Sequence, residues 1–277
     1  MNHKGRTTLS EPTANVVENL AYRVAEQSGG RITVNHLASY LPMSLGLIQS
    51  CMDNMVDGHS VTAGEAEGFP VYEISACLDK PCVEGALNFT ACLSCDTDYS
   101  SKSEHPLCQT CFQALEKELN HLAETTGWPA RAVYEHEILF LAAGHPNPHY
   151  AAELAGHSRY TLKRMKKKLK AMTLDHFVRQ ELAENEANIH YIFPSITYPR
   201  ASYRRNMTLI RRHPASVMED VEIKTTRIVL SLAAMLLVVF VLAFLRIPLP
   251  ALIIGFLIAA PIVALKIWRH KDKIPEE

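Results

Sequence analysis

Residues 31–75 read RITVNHLASYLPMSLGLIQSCMDNMVDGHSVTAGEAEGFPVYEIS, and the order of signals in this stretch decides the fold. Arg31 to Thr33 suits a short strand and Val34 to Leu41 a helix. After Pro42, Ser44 to Val56 suits a second helix, with Ser44 in the N-cap place and Ile48, Cys51 and Met55 on its inner face. Gly58 ends that helix. Ser60 to Ala63 and Val71 to Ser75 then flank the turn Gly64-Glu65-Ala66-Glu67-Gly68, which predicts a β-hairpin. Upstream, Val16, Val17, Leu20 and Val24 share one face of a helix that Gly29-Gly30 stop. Residues 14–76 therefore read as helix, strand, two helices and a hairpin.

The same order recurs from 127 to 200. Val133 to Ala143 reads as an apolar helix, His149 to Ala155 as a short second one, and Ser158 to Met172 as a third with Ser158 at its cap. Phe177 to Leu182 and Ile189 to Phe193 flank the polar loop 183–188. Residues match as well: His36-x-Ala-x-x-Leu41 parallels His149-x-Ala-x-x-Leu154, and Ile48, Cys51 and Met55 parallel Leu162, Met165 and Leu169. Element order and spacing together predict a duplicated module. Both copies resemble the winged-helix form of the helix-turn-helix found in many bacterial transcription regulators. The resemblance rests on element order and apolar spacing, and implies fold more than function.

Between the copies, residues 77–126 carry Cys92-Leu-Ser-Cys95 and Cys108-Gln-Thr-Cys111, two C-x2-C pairs separated by twelve residues. Each pair offers two thiolates from one tight turn, and a linker of this length lets the pairs meet around a tetrahedral Zn2+. The linker Asp96 to Leu107 is polar and reads as a loop ordered by metal. Phe112, Leu115, Leu119 and Leu122 follow at helical spacing, so the second pair sits at a helix start, as in a treble-clef-like finger. Four cysteines leave no open coordination position, which argues for structure over hydrolysis. A redox-sensing reading competes with it. Cys77 and Cys82, with His105, suggest part of a second site, although ordinary free thiols are the favoured reading.

Lysine and arginine set the two copies apart. Residues 14–75 hold 2 arginines against 7 acidic residues, whereas 145–215 hold 13 Lys and Arg against 5 Asp and Glu, a net of +8. The helix read at 158–172 concentrates that charge in Arg159, Lys163, Arg164, Lys166, Lys167, Lys168 and Lys170, around a stripe of Leu162, Met165, Leu169 and Met172. This is the place where a winged helix reads duplex DNA, so these seven residues are the expected nucleic-acid contacts. Arg159 and Lys163, near the helix start, suit base edges, and the rest suit phosphate. Attraction to anionic membrane lipid is the competing reading. The acidic first copy suits a protein-facing role, in docking the second copy or in homo-oligomer formation.

The C-terminus supplies the remaining constraint. Ile228 to Leu245 holds no charge, Ile247 to Leu265 is a second apolar run, and Arg246-Ile247-Pro248-Leu249-Pro250 makes the turn. Eighteen helical residues span about 27 Å, close to the ~30 Å hydrocarbon core. A transmembrane helical hairpin is expected at 228–268, preceded by a juxtamembrane linker at 201–227. Arg211, Arg212, Lys224 and Arg227 on one side and Lys266, Arg269, Lys271 and Lys273 on the other, against Arg246 in the turn, put both termini in the cytoplasm. The first residues carry no apolar run suited to a signal peptide. That placement, at the cell inner membrane, is reducing, which favours metal over disulfides for the cysteines.

No Gly-rich phosphate loop occurs, His136-Glu137 does not continue as H-E-x-x-H, and no nucleophile has a visible base, so catalysis is not expected. The fold class expected is mainly α with small β wings: tandem winged-helix modules flanking a zinc finger, plus the hairpin. The function expected is a membrane-tethered, zinc-containing DNA-binding regulator. The alternative is a membrane effector that senses nucleic acid or protein and whose hairpin self-associates, by way of Ala233, Ala234, Gly255, Ala259 and Ala260, to perturb the bilayer.

Overall fold

A computed structural model describes residues 9–83, 85–182, 189–214 and 216. Met1–Met218 form one compact unit of mixed α/β structure. The hairpin expected at 228–268 and the loop at 183–188 lie outside the described residues. Among those described, no helix is long and apolar enough to cross a membrane.

The first repeat comprises α1 (Glu11–Gln27), β1 (Arg31–Ile32), α2 (Val34–Ala38), α3 (Leu45–Met55), β2 (Val61–Ala66) and β3 (Phe69–Ile74), with an antiparallel sheet in the order β1-β3-β2. Val17, Leu20, Leu37, Ile48, Met52 and Ile74 are fully enclosed in its core. The hairpin turn is tighter than expected. Ala66 pairs with Phe69, leaving only Glu67 and Gly68, at φ 54° and 79°. Two positive φ values match the twist of the strands, so Gly64 and Glu65 stay in the ladder. Gly30 ends α1 at φ 82°, where a Cβ would lie 2.8 Å from the Leu78 backbone.

The middle segment contributes β4 (Phe89–Ala91), β5 (Asp98–Ser103) and α4 (Gln109–Thr126). The linker between the cysteine pairs is thus no plain loop. Asp98–Ser103 pairs antiparallel with β4, and backbone hydrogen bonding orders it alongside any metal.

The second repeat comprises α5 (Ala130–Ala143), β6 (His149–Tyr150), α6 (Ala151–Gly156), α7 (Leu162–Leu174), β7 (Arg179–Leu182) and β8 (Ile189–Ile192), in the sheet order β6-β8-β7. Two expectations need correction. His149 lies in a strand, paired with Tyr191, whereas His36 lies inside α2 as the partner of Thr33 in a capping box. They do not correspond. The third helix starts at Leu162 with Thr161 as N-cap, not at Ser158. One constant register instead pairs Val34 with Ala151, Leu37 with Leu154, Ile48 with Met165, Met52 with Leu169 and Val61 with Val178, all buried.

The last described helix, α8 (Arg200–Arg212), occupies much of the stretch expected to be a linker. It is part of the same unit, because Ser202, Asn206, Met207, Leu209 and Ile210 are buried along one face. Helix α5 joins the repeats. Glu135 accepts a hydrogen bond from the Leu45 N–H at 2.9 Å, at the first turn of α3. His136 Nε2 donates to the Met43 carbonyl at 2.8 Å while its Nδ1 meets the Tyr198 hydroxyl. The Trp128 indole donates to the Pro42 carbonyl at 2.8 Å, and the Asn35 amide to the Phe177 carbonyl at 2.9 Å.

Candidate metal centre and basic helix

The first cysteine pair lies on the turn after β4. Cys92 donates its N–H to the Thr97 carbonyl and receives the Asp96 N–H on its own carbonyl, each at 3.0 Å, with Asp96 at φ 52°. The second pair opens α4. Cys108 is its N-cap, and the Cys108 N–H donates to the Cys92 sulfur at 3.3 Å. The four Sγ atoms all lie within 4.8 Å of one another. Zinc–sulfur bonds of about 2.3 Å in a tetrahedron put sulfurs about 3.8 Å apart, and Cys95 and Cys108 are 3.8 Å apart. The cluster is compatible with a metal such as zinc.

Hydrogen bonding and burial move its thiols in opposite directions. Hydrogen bonds from the Thr97 hydroxyl and backbone, then from Cys111 and Cys92, draw the Cys95 thiol down to about 6. Burial pushes Cys111 up to about 12, a cost that a cation in the centre of the cluster would reverse.

Arg205, on α8, was not legible as part of this centre. Its guanidinium lies 3.9 Å from the Phe112 ring centroid and donates to the carbonyls of Leu107 at 2.7 Å and Cys108 at 3.3 Å. Four thiolates around a divalent ion carry about two negative charges in excess, and Arg205 sets a positive charge beside them. In the sequence, Arg205 counted only toward the net charge of 145–215, within a stretch read as a juxtamembrane linker. The apolar spacing of Tyr203, Met207 and Ile210 at i, i+4 and i+7 was the available sign of a packed helix. Cys77 is buried and Cys82 exposed, and among the described residues neither joins His105 or any other group in a metal-capable cluster.

The basic residues divide into two sets. Lys163, Lys166, Lys167 and Lys170 are exposed on α7, and their spacing of three, one and three residues puts them on one face. The others are engaged with the protein. Arg159 precedes the helix, stands 3.3 Å from the Glu137 carboxylate and lies over the Tyr160 ring, so it is not a residue of the helix start. Lys168 points over the rings of Tyr134 and Tyr160, at 4.0 and 4.8 Å from their centroids. Arg164 is half-buried. Leu162 is 43% exposed and does not belong to the buried stripe, which consists of Met165, Leu169 and Met172. Glu137, which sequence reading set aside, also receives Arg211 of α8 at 2.6 Å, so one buried carboxylate ties α8 to the approach to α7.

Compared with known proteins, the chain matches no family model and no curated sequence.

Proposed function

We propose that this protein is a membrane-tethered, zinc-containing regulator of transcription, built from two winged-helix modules, the second of which binds duplex DNA. One observation carries the reading: Lys163, Lys166, Lys167 and Lys170 form an exposed face on the third helix of the second repeat, a helix without acidic residues. Four ammonium groups along one helical face suit a phosphate backbone. The first repeat supports the division of labour, because the first turn of its third helix is tied to Glu135 and that helix carries no Lys or Arg. The four cysteines hold one structural zinc ion. The apolar runs at 228–245 and 247–265 form the anchor, with both termini cytoplasmic.

The test is binding of fragment 1–222 to duplex DNA over a salt series. Four phosphate contacts give a slope of log K against log salt of about −3.6. No binding at low salt, or affinity that ignores salt, ends the reading.

A second reading has its own observation. Leu162 and Leu174, 43% and 69% exposed, bracket the lysine face, and apolar side chains beside lysines suit an anionic lipid surface. Flotation with phosphatidylserine vesicles separates the two. If alanine at Lys166, Lys167 and Lys170 abolishes vesicle binding and leaves DNA affinity untouched, α7 is a membrane-docking surface.

A further inference from the structure

The segment between α5 and α7 gathers three histidines and a carboxylate that neither the cysteine cluster nor the lysine face uses. His145 follows α5, His149 opens β6, Glu153 lies on α6 and His157 follows α6. The rings of His145 and His157 stack with centroids 5.8 Å apart and planes 29° apart. His149 is 1% exposed and packs edge-on against Phe193 at 5.4 Å. Among the described residues, its Nδ1 has no hydrogen-bond partner. A buried polar atom left unpaired is uncommon and costly, and a ligand on Nδ1 would satisfy it.

The scaffold around these groups is fixed. The Asn147 side chain donates to the Phe193 carbonyl at 2.8 Å and accepts its N–H at 3.1 Å, pinning the loop that carries His145 and His149. His149 is also held in the ladder opposite Tyr191. Burial lowers the pKa of the His149 ring, with Glu153 opposing that effect and His145 adding to it. Neutral imidazole is the form that binds metal.

We propose that His145, His149 and His157 form a second metal site, completed by Glu153, for a divalent first-row transition ion. Imidazoles with one carboxylate suit zinc, nickel or copper over calcium or magnesium. With metal–nitrogen bonds of about 2.0–2.1 Å, two imidazoles on a tetrahedral ion have ring centres about 5 Å apart, close to the spacing of His145 and His157. Only the cysteine cluster has its ligand atoms already converged among the described residues. The histidine site converges by rotation of the exposed side chains of His145, Glu153 and His157 toward Nδ1 of His149. A bound ion would then staple the loop after α5 to the turn before α7, the turn that presents the lysine face.

The experiment uses the full chain, loaded with zinc and purified without a polyhistidine tag. It is titrated with nickel chloride by calorimetry at pH 7.5, and its metals are counted before and after. One nickel ion should bind per chain without releasing zinc, and binding should disappear by pH 5 as the imidazoles take up protons. Removing His149 also disturbs packing, so the exposed pair carries the test. The double variant His145→Ala, His157→Ala should bind nickel at least about tenfold more weakly, a loss that even an outer-shell partner can cause, while its zinc content stays at the parent's value. Absence of nickel binding, nickel taken up only as zinc leaves, or a double variant that binds like the parent would each overturn the site. The outcome is independent of whether α7 binds DNA.

Discussion

Replacing Glu135 by Gln should make the protein markedly more stable at pH 8 and barely change it at pH 4. Glu135 is fully buried, with one oxygen on the Leu45 N–H and the other 3.5 Å from Arg131. Burial raises its carboxyl from 4.5 to about 7, against the opposing pull of the Leu45 N–H and Arg131. Below pH 4.5 both the folded and unfolded states hold the proton, and burial of the carboxyl is at its least costly. Between 4.5 and 7 the unfolded chain gives up its proton first, so stability falls as pH rises through this window. Above 7 the loss is complete. At 1.36 kcal/mol for each pH unit the full loss is about 3 kcal/mol, of which about 2.5 falls between pH 5 and 8.

Gln keeps an oxygen for the Leu45 N–H and never ionises, so it escapes this loss. Urea unfolding of fragment 1–222, followed by tryptophan fluorescence, measures it. Trp128 is the one tryptophan in that fragment, is 1% exposed and packs at the same junction. Release of metal in acid affects parent and variant alike and cancels from their difference. If the difference is the same at pH 5 and pH 8, Glu135 does not titrate in this window and its assignment as a buried acid is wrong.

Four further outcomes are expected. Elemental analysis should find one zinc in fragment 1–222, and Cys92→Ser should lower it and open the middle segment to protease; unchanged zinc would mean other ligands. Arg205→Met should weaken zinc retention against a chelator by about 10- to 100-fold, by removing the donor to the Leu107 and Cys108 carbonyls. Alanine at Lys166, Lys167 and Lys170 should weaken binding to every DNA sequence alike and flatten the salt slope by up to about 0.9 for each phosphate no longer neutralised. Arg159→Ala should lower stability by roughly 1–3 kcal/mol, measured by urea unfolding, and leave sequence preference unchanged; a selective loss at one DNA site would return Arg159 to base reading.

Element order was legible because it rests on local signals. Glycine pairs stop α1, Ser44 precedes α3, and the apolar spacing of α1 and α3 survives in the burial of Val16, Val17, Leu20, Ile48 and Cys51. The cysteine cluster was legible because a C-x2-C pair is a local geometry. What escaped depends on interactions between distant residues. His149 looked like a helical residue by analogy with His36, but its pairing with Tyr191, far along the chain, makes it a strand. Arg159 and Lys168 looked equivalent to their neighbours because charge alone does not reveal which side chain meets Glu137 or the Tyr134 ring. Glu135, His136 and Glu137 are three consecutive buried polar residues on one helix. They look unfit for a core until their partners, Leu45, Met43 and Arg211, are in place.

Leu45 and Leu162 open the third helices of the two repeats, yet one is fully buried and the other 43% exposed. The difference lies in what covers the helix start. In the first repeat α5 supplies Glu135 to the Leu45 N–H, and Trp128 and His136 take the carbonyls of Pro42 and Met43 just before it. These bonds tie the start of α3 into the interior of the protein. In the second repeat α7 keeps Leu162 and the lysine face exposed. The two helix starts therefore differ in cover: that of α3 is closed over by α5, and that of α7 is open. Glu137, shared between Arg159 before α7 and Arg211 of α8, gives the approach to α7 a fixed link to α8.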